Sequence, residues 1–264
     1  MKRIATAAFA AAFAASPAFA DALAEAAATA GATAGISEEE AALPSEWQGK
    51  VAAGFDTASG NTDKDAASVR LEAKKLQGQW VVIAVADGAW EQNEVDGEDE
   101  DTVSNVKAEV NVKRRFDGFF VYGDASALHD GIAGIKYRTV ESVGLGTYLV
   151  DEETLKLSAE AGLAWVQEKL DGVGSDDYLA WRVAERADWT PAFAEGVSFF
   201  EQADALADFD DSDRWSANLE AGVDIPMFLG LSTTLKGVVA HNHSPAEGKE
   251  KTDRRFVAQV GWNF

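Results

Sequence analysis

Counted back from Phe264, every second residue of the C-terminal stretch from Lys251 is apolar: Phe264, Trp262, Val260, Ala258, Phe256. The residues between are mostly polar or small: Asn263, Gly261, Gln259, Arg255 and Asp253, with Val257 the exception. A period of two is a β-strand with one apolar and one polar face. This strand ends the chain on a large aromatic side chain. A soluble sandwich rarely leaves such a group exposed there. The closing strand of a transmembrane barrel carries one at the membrane interface.

The same alternation recurs from Trp47 onward. Val69, Leu71 and Ala73 share one face of a strand over about Asp65 to Leu76; Arg70, Glu72 and Lys74 share the other. Val103 to Arg115 sets Val106, Ala108, Val110 and Val112 opposite Lys107, Glu109, Asn111 and Lys113. Thr154 to Gln167 sets Leu155, Leu157, Leu163 and Trp165 opposite Lys156, Ser158, Glu160 and Gly162. Trp215 to Ile225 sets Leu219, Val223 and Ile225 opposite Glu220, Gly222 and Asp224. In Tyr178 to Trp189, Trp181 and Val183 oppose Arg182 and Arg186, but Glu185 falls on the apolar face, and a bulge there would restore the pattern. Trp80 to Trp90 is apolar on both faces in its first half.

Together with less regular runs near 47–57, 119–128, 136–150, 197–206 and 231–242, this predicts about twelve antiparallel strands. The fold expected is all-β: a transmembrane antiparallel barrel with an up-and-down meander over residues 47–264. Every other connection is short. The acidic runs Glu91–Asp101, Asp171–Asp177, Asp208–Asp213 and the stretch His243–Glu250 read as longer loops on the opposite, outer rim. Trp47, Trp80, Phe116, Trp189 and Phe264 fall near one set of strand ends, and Trp90, Trp165, Trp181 and Trp215 near the other. Such pairs of girdles mark the two interfaces of a bilayer.

The N-terminus carries an address. Lys2 and Arg3 precede an Ala/Phe-rich apolar run and the small-x-small site Ala18-Phe19-Ala20, which reads as a signal peptide over 1–20 cleaved near Ala20. Residues 21–46 are Ala- and Glu-rich, broken by Pro44, and read as a periplasmic leader, disordered or weakly helical. No later segment reaches the ~18 apolar residues of a membrane helix. Export together with a closing aromatic strand predicts the outer membrane of a Gram-negative envelope. The formal charge of -22 excludes binding to nucleic acid by phosphate neutralisation. The absence of cysteine excludes disulfides and thiolate chemistry.

Trp47-x-Gly49, Gly54 and Ser59-Gly60-Asn61-Thr62 resemble the opening of the salt-induced outer-membrane proteins, the domain of unknown function 481. Gly144-Leu145-Gly146 with Tyr148, Leu155-x-Leu157 leading into Ala161-Gly162, and the terminal Phe264 are similar to the same family. The resemblance spans about Trp47 to Phe264. It implies an outer-membrane barrel induced under salt or osmotic stress, and it brings no catalytic residues.

The polar faces supply the candidate functional residues: Arg70, Glu72, Lys74, Lys107, Glu109, Lys113, Lys156, Glu160, Arg182, Arg186, Glu220, Asp224 and Arg255. Turned inward, these mixed charges make either a narrow polar channel for small solutes or ions, or a cross-linked plug in a closed structural barrel. Phe256, Val260, Trp262 and Phe264 form the expected insertion signal, read by periplasmic chaperones and the barrel-insertion machinery. Lipid is the other partner, and no obligate protein partner is evident. Asp208, Asp210, Asp211 and Asp213 are candidates for weak Ca2+ or Mg2+ binding through oxygen, although the spacing lacks a calcium loop's glycine and final glutamate. No other cofactor is expected. His241 and His243 share a face at a strand end. Ser126/His129 and His243/Ser244 are adjacent in sequence only, with no nucleophile elbow. A non-enzymatic protein is therefore expected, with a lipid-face hydrolase as the lesser alternative.

Overall fold

The computed structural model describes residues 46–58, 64–95, 98–172 and 174–264. The signal peptide, nearly all of the leader, and the Gly60-Asn61-Thr62 turn lie outside these. Twelve strands follow one another: β1 Gln48–Ala58, β2 Lys64–Gln77, β3 Trp80–Val95, β4 Glu98–Arg115, β5 Phe120–Asp130, β6 Ile135–Asp151, β7 Leu155–Leu170, β8 Gly174–Trp189, β9 Ser198–Asp208, β10 Trp215–Pro226, β11 Leu231–Asn242 and β12 Thr252–Asn263. Each pairs antiparallel with its sequence neighbours, and β1 pairs with β12, so the sheet closes on itself. Gly49 and Phe264 complete that seam by exchanging two backbone hydrogen bonds of 2.9 Å. A closed ring leaves no unpaired edge, which a strand bundle in hydrocarbon requires. Among the described residues no helix is long and apolar enough to cross a membrane.

Exposure is inverted relative to a soluble barrel. Phe256 is 72% exposed, Val143 60% and Leu145 59%, whereas Asp124 is 3% and Lys236 4% exposed. Water-soluble β-proteins bury the apolar face and wet the polar one. Here the strand parity puts Val51, Val69, Leu71, Leu163, Leu219 and Val260 outside and the charged alternates inside. Only hydrocarbon around the barrel makes that arrangement stable, so the molecule is a transmembrane barrel. At the rim that holds the start of β1 and Phe264, here the terminal rim, Trp189 packs on Phe193 and Phe199, Trp262 on Phe264, and Arg114 lies over Trp80 and Phe116. At the distal rim Trp181 stacks on Phe209, and Trp215 on His241 and His243.

Three expectations need correction. The acidic stretches Glu91–Asp101 and Asp171–Asp177 are not long loops. The β3–β4 ladder runs on to Val95↔Glu98, and the β7–β8 ladder to Leu170↔Gly174. Runs of acidic residues give these hairpin arms little apolar alternation, yet the backbone ladder is indifferent to that. The asymmetry between the rims is therefore largely one of strand length: β3, β4 and β6 to β8 have 16 to 18 residues, and β1, β5 and β9 have 11. The third correction is Glu185. No bulge turns it inward; it pairs in regular register with Ala159 and Ala203 and stays exposed on the outer face.

Turn chemistry matches the short connections on the terminal rim. Gln77 pairs with Trp80 across a two-residue loop, and Gly78 there has φ 57°, the left-handed conformation such hairpins need.

Candidate functional site: a capped lumen with an ion-paired floor

The lumen is shaped first by its small residues. Gly144 and Gly146 on β6 and Gly162 on β7 face inward beside β5. A Cβ at Gly146 would sit 2.3 Å from the Phe120 ring, and one at Gly162 2.5 Å from the Tyr122 hydroxyl. The missing side chains let both aromatic rings lie flat on the wall, where both are fully buried. Cations then cover the rings. Lys113 Nζ stands 4.7 Å over Phe120, and the Arg182 guanidinium 5.2 Å over Tyr122.

Glu160 ties those cations together, accepting from Lys113 at 2.6 Å and from Arg182 at 2.9 Å. Lys113 is on β4 and Glu160 on β7, so the pair reaches across two intervening strands. A second knot faces it. Arg70 donates to both oxygens of Asp87 at 2.9 Å and lies 3.3 Å from Glu72 and 3.5 Å from Glu220. Lys236 meets Glu220 at 2.8 Å and Asp87 at 3.5 Å. Nearer the terminal rim, Lys50 on β1 pairs with Asp224 on β10 and donates to Thr234. Pairs between non-adjacent strands form a charged floor across the lumen. Each charge has lost water, and each is compensated by a close partner, as a desolvated ion requires.

Above the floor lies a cavity of about 400 Å³. Its polar side includes Lys107, Glu109, Asp124, Asp204 and Arg255. Its other side includes Val140 and Leu206, which belong to a buried apolar cluster with Ala164, Val166 and Ala180 on the inner faces of β6 to β9. The loop 243–251, between β11 and β12, caps it. Ala246 of that loop is buried against Ile135 and Leu170 on the far side of the ring, and a Cβ at Gly134 would come within 3.0 Å of it. Pro245 and Glu250 of the same loop line the cavity. The site is thus a strapped, amphipathic chamber closed below by ion pairs.

The candidate lumen residues all fall on the inner face. Arg70, Glu72, Lys113, Glu160, Arg182, Glu220 and Asp224 meet in the floor. Lys107 pairs with Glu109 at 2.7 Å, and Arg186 with Asp188 at 2.9 Å. Lys156 lies 3.9 Å from Asp151, near the terminal rim with Lys74, and Arg255 lines the upper chamber. The acidic loop turns its aspartates to its own backbone. Asp208 accepts from the amides of Asp210 and Asp211, Asp211 from that of Asp213, and Arg214 reaches Asp176 at 2.6 Å and Asp208 at 3.5 Å. Desolvation loosens the Arg214 guanidinium's hold on its proton, but Asp176 and Asp208 together more than offset it, so the proton is held more firmly than usual. Among the described residues no three acidic or histidine side chains gather as a metal site. His241 bonds Thr252, His129 bonds the Lys136 carbonyl, and Ser244 donates to the Asp213 carbonyl, so no serine–histidine pair forms there.

Sequence reasoning missed Lys50, Asp87, Asp124, Ser142 and Lys236 as lumen groups, and with them Phe120 and Tyr122. Asp87 was hidden because Val81, Ile83 and Val85 precede it on the same inner face. Carrying parity from β2 and β4 through the ladder would have found it.

A family model, described as a protein of unknown function, DUF481, matches residues 51–264. The chain belongs to the DUF481 family. No curated protein matches it. Among solved structures it is similar to the NanC porin, at 12% identity over 83% of this chain and 99% of that one, with a TM-score of 0.48. The translocator domain of the autotransporter NalP from Neisseria meningitidis is similar at 10% identity over 94% and 96% of the chains, with a TM-score of 0.47. A porin refined at 1.8 Å resolution is similar at 8% identity over 83% and 99%, with a TM-score of 0.36.

Proposed function

We propose that this DUF481 barrel sits in the outer membrane, with its termini in the periplasm, and is a narrow, non-enzymatic channel for small solutes. Solute enters a chamber beneath the loop 243–251 and leaves through the ion-paired floor. The observation that carries this reading is the cavity of about 400 Å³, which reaches from that loop to Arg70, Lys113, Glu160 and Lys236. A closed structural barrel would gain nothing from a chamber with one apolar and one charged wall. The family resemblance supports a role under salt or osmotic stress.

Planar-bilayer recording tests the channel. Wild-type protein should pass a small conductance. The double variant Arg70→Ala/Lys236→Ala, which unties one knot of the floor, should pass severalfold more. Folded barrels that are silent in both forms would return the protein to a structural role. A rise in protein level after addition of sodium chloride would tie the barrel to salt stress, and an unchanged level would remove that part.

The closing strand serves as the insertion signal. Phe256, Val260, Trp262 and Phe264 all present their side chains on the outer face of β12 or just beyond it. Phe264→Ser should lower the amount of barrel recovered in outer membranes and leave more in the periplasm with chaperones. Immunoblots of the two fractions measure this, and equal outer-membrane levels would count against it.

A further inference from the structure

Glu168 and Asp124 are buried acids of the inner wall. Glu168 receives Arg138 at 2.6 Å. Asp124 has no ion pair within 4 Å, and its side-chain partner is the Asn111 amide, which donates to it at 3.2 Å. The neighbouring cations make their close contacts elsewhere, Lys107 with Glu109 at 2.7 Å and Arg182 with Glu160 at 2.9 Å, and Arg182 acts on Asp124 only across a longer distance. A buried carboxylate without its own cation is costly unless something else supplies donors.

The ladder sets two further oxygens beside it. Asn111 on β4, Asp124 on β5 and Ser142 on β6 are directly paired across the sheet, all on the inner face. Asn111 and Ser142 are each more than nine-tenths buried. Neither Asn111 Oδ1 nor Ser142 Oγ has a hydrogen-bond partner. Because Asn111 must present its NH2 to the carboxylate, its oxygen is the free atom. The row continues through Ala164 on β7 to Ala180 on β8, members of the apolar cluster with Val140 and Leu206.

We infer that this row is a binding site for a small primary amine with an apolar body. The ammonium carries three N–H donors, and Asp124, Asn111 Oδ1 and Ser142 Oγ are three acceptors on adjacent strands. The carbon chain lies along Val140 and Leu206, which line the chamber. The inference rests on the channel reading, because it names what the chamber selects.

The test uses the full mature barrel in detergent micelles, with binding of butylammonium followed by calorimetry. Saturable binding is expected. It should weaken by at least about tenfold in Asp124→Asn, the loss of a charge-assisted hydrogen bond, and severalfold in Ser142→Ala. Butan-1-ol, which lacks the charge, and butyltrimethylammonium, which lacks the N–H donors, should both bind far more weakly. Circular dichroism and heat-modifiable gel mobility check folding. If Asp124→Asn does not fold, Ser142→Ala and the two analogues still decide the matter. Equal binding by Asp124→Asn, equal binding of butyltrimethylammonium, or no wild-type binding would each overturn the site. The last result would leave Asp124 a structural acid held by Asn111. A barrel that conducts but does not bind butylammonium loses this inference alone. One that binds but never conducts loses the channel.

Discussion

Single side chains set both the strength and the weak point of this wall. Gly144 shows why the glycines matter. A Cβ there would stand 2.3 Å from the Ala161 carbonyl oxygen and 2.8 Å from the Tyr122 ring. The carbonyl belongs to the ladder and cannot retreat. Gly144→Ala should therefore cost about 1–3 kcal/mol, as overpacking does, read as a lower urea midpoint for the barrel in vesicles. Glu185 is the opposite case. It lies midway along β8 between Trp181 and Trp189, which are separated by ~26 Å of strand and roughly 20 Å of bilayer after tilt. A carboxyl at that depth faces hydrocarbon with Ala159 and Ala203 opposite it. Glu185→Leu should raise barrel stability, by up to about 2 kcal/mol on the scale for acids on a lipid face. An unchanged or lower urea midpoint would mean that Glu185 has a partner in the membrane. Sequence flagged Glu185 as out of pattern. It could not say whether the backbone or the side chain would yield, because a bulge and an exposed acid look alike in one dimension.

Among the elements, the β11–β12 connection is the one that acts beyond its neighbours. Residues 243–251 leave β11, cross the distal mouth, and bury Ala246 against β6 and β7. The notch is small and apolar, so a charge cannot follow the alanine into it. Ala246→Glu should release the loop while the twelve strands stay paired. Two readouts are expected: larger conductance, and trypsin cleavage at Lys249 or Lys251 in a barrel that keeps its heat-modifiable mobility. Resistance to trypsin with unchanged conductance would show that Ala246 does not hold the loop down. The acidic hairpin arms tell a related lesson. Asp and Glu runs read as loops because their side chains carry no face preference. The backbone ladder needs no such preference, and it simply continues.

At the scale of the whole molecule, the apolar surface is turned outward and the charges are turned in. That inversion explains why a strongly acidic chain places bases in its lumen: Arg70, Lys113, Arg182 and Lys236 neutralise carboxylates that hydrocarbon on the outside would exclude. It also explains the chamber. Twelve strands enclose more width than side chains on one level can fill, so closure needs chords between distant strands. Lys113–Glu160, Arg70–Glu220 and Lys50–Asp224 are such chords. Above them Val140 on β6 and Leu206 on β9 are too short to meet across the lumen, and the space stays open beneath the loop 243–251.

Strand number, the faces of each strand and the aromatic ends were legible from residue order alone, because side-chain parity is a property of the local backbone. The family resemblance could be read from glycines whose reason was not visible. Which carboxylate meets which cation was decided only by the closed sheet, since that depends on register and curvature carried across strands far apart in the chain. Asp124, with no cation of its own, follows from the same cause. Its isolation is a fact about β4, β5 and β6 side by side, and no stretch of sequence contains it.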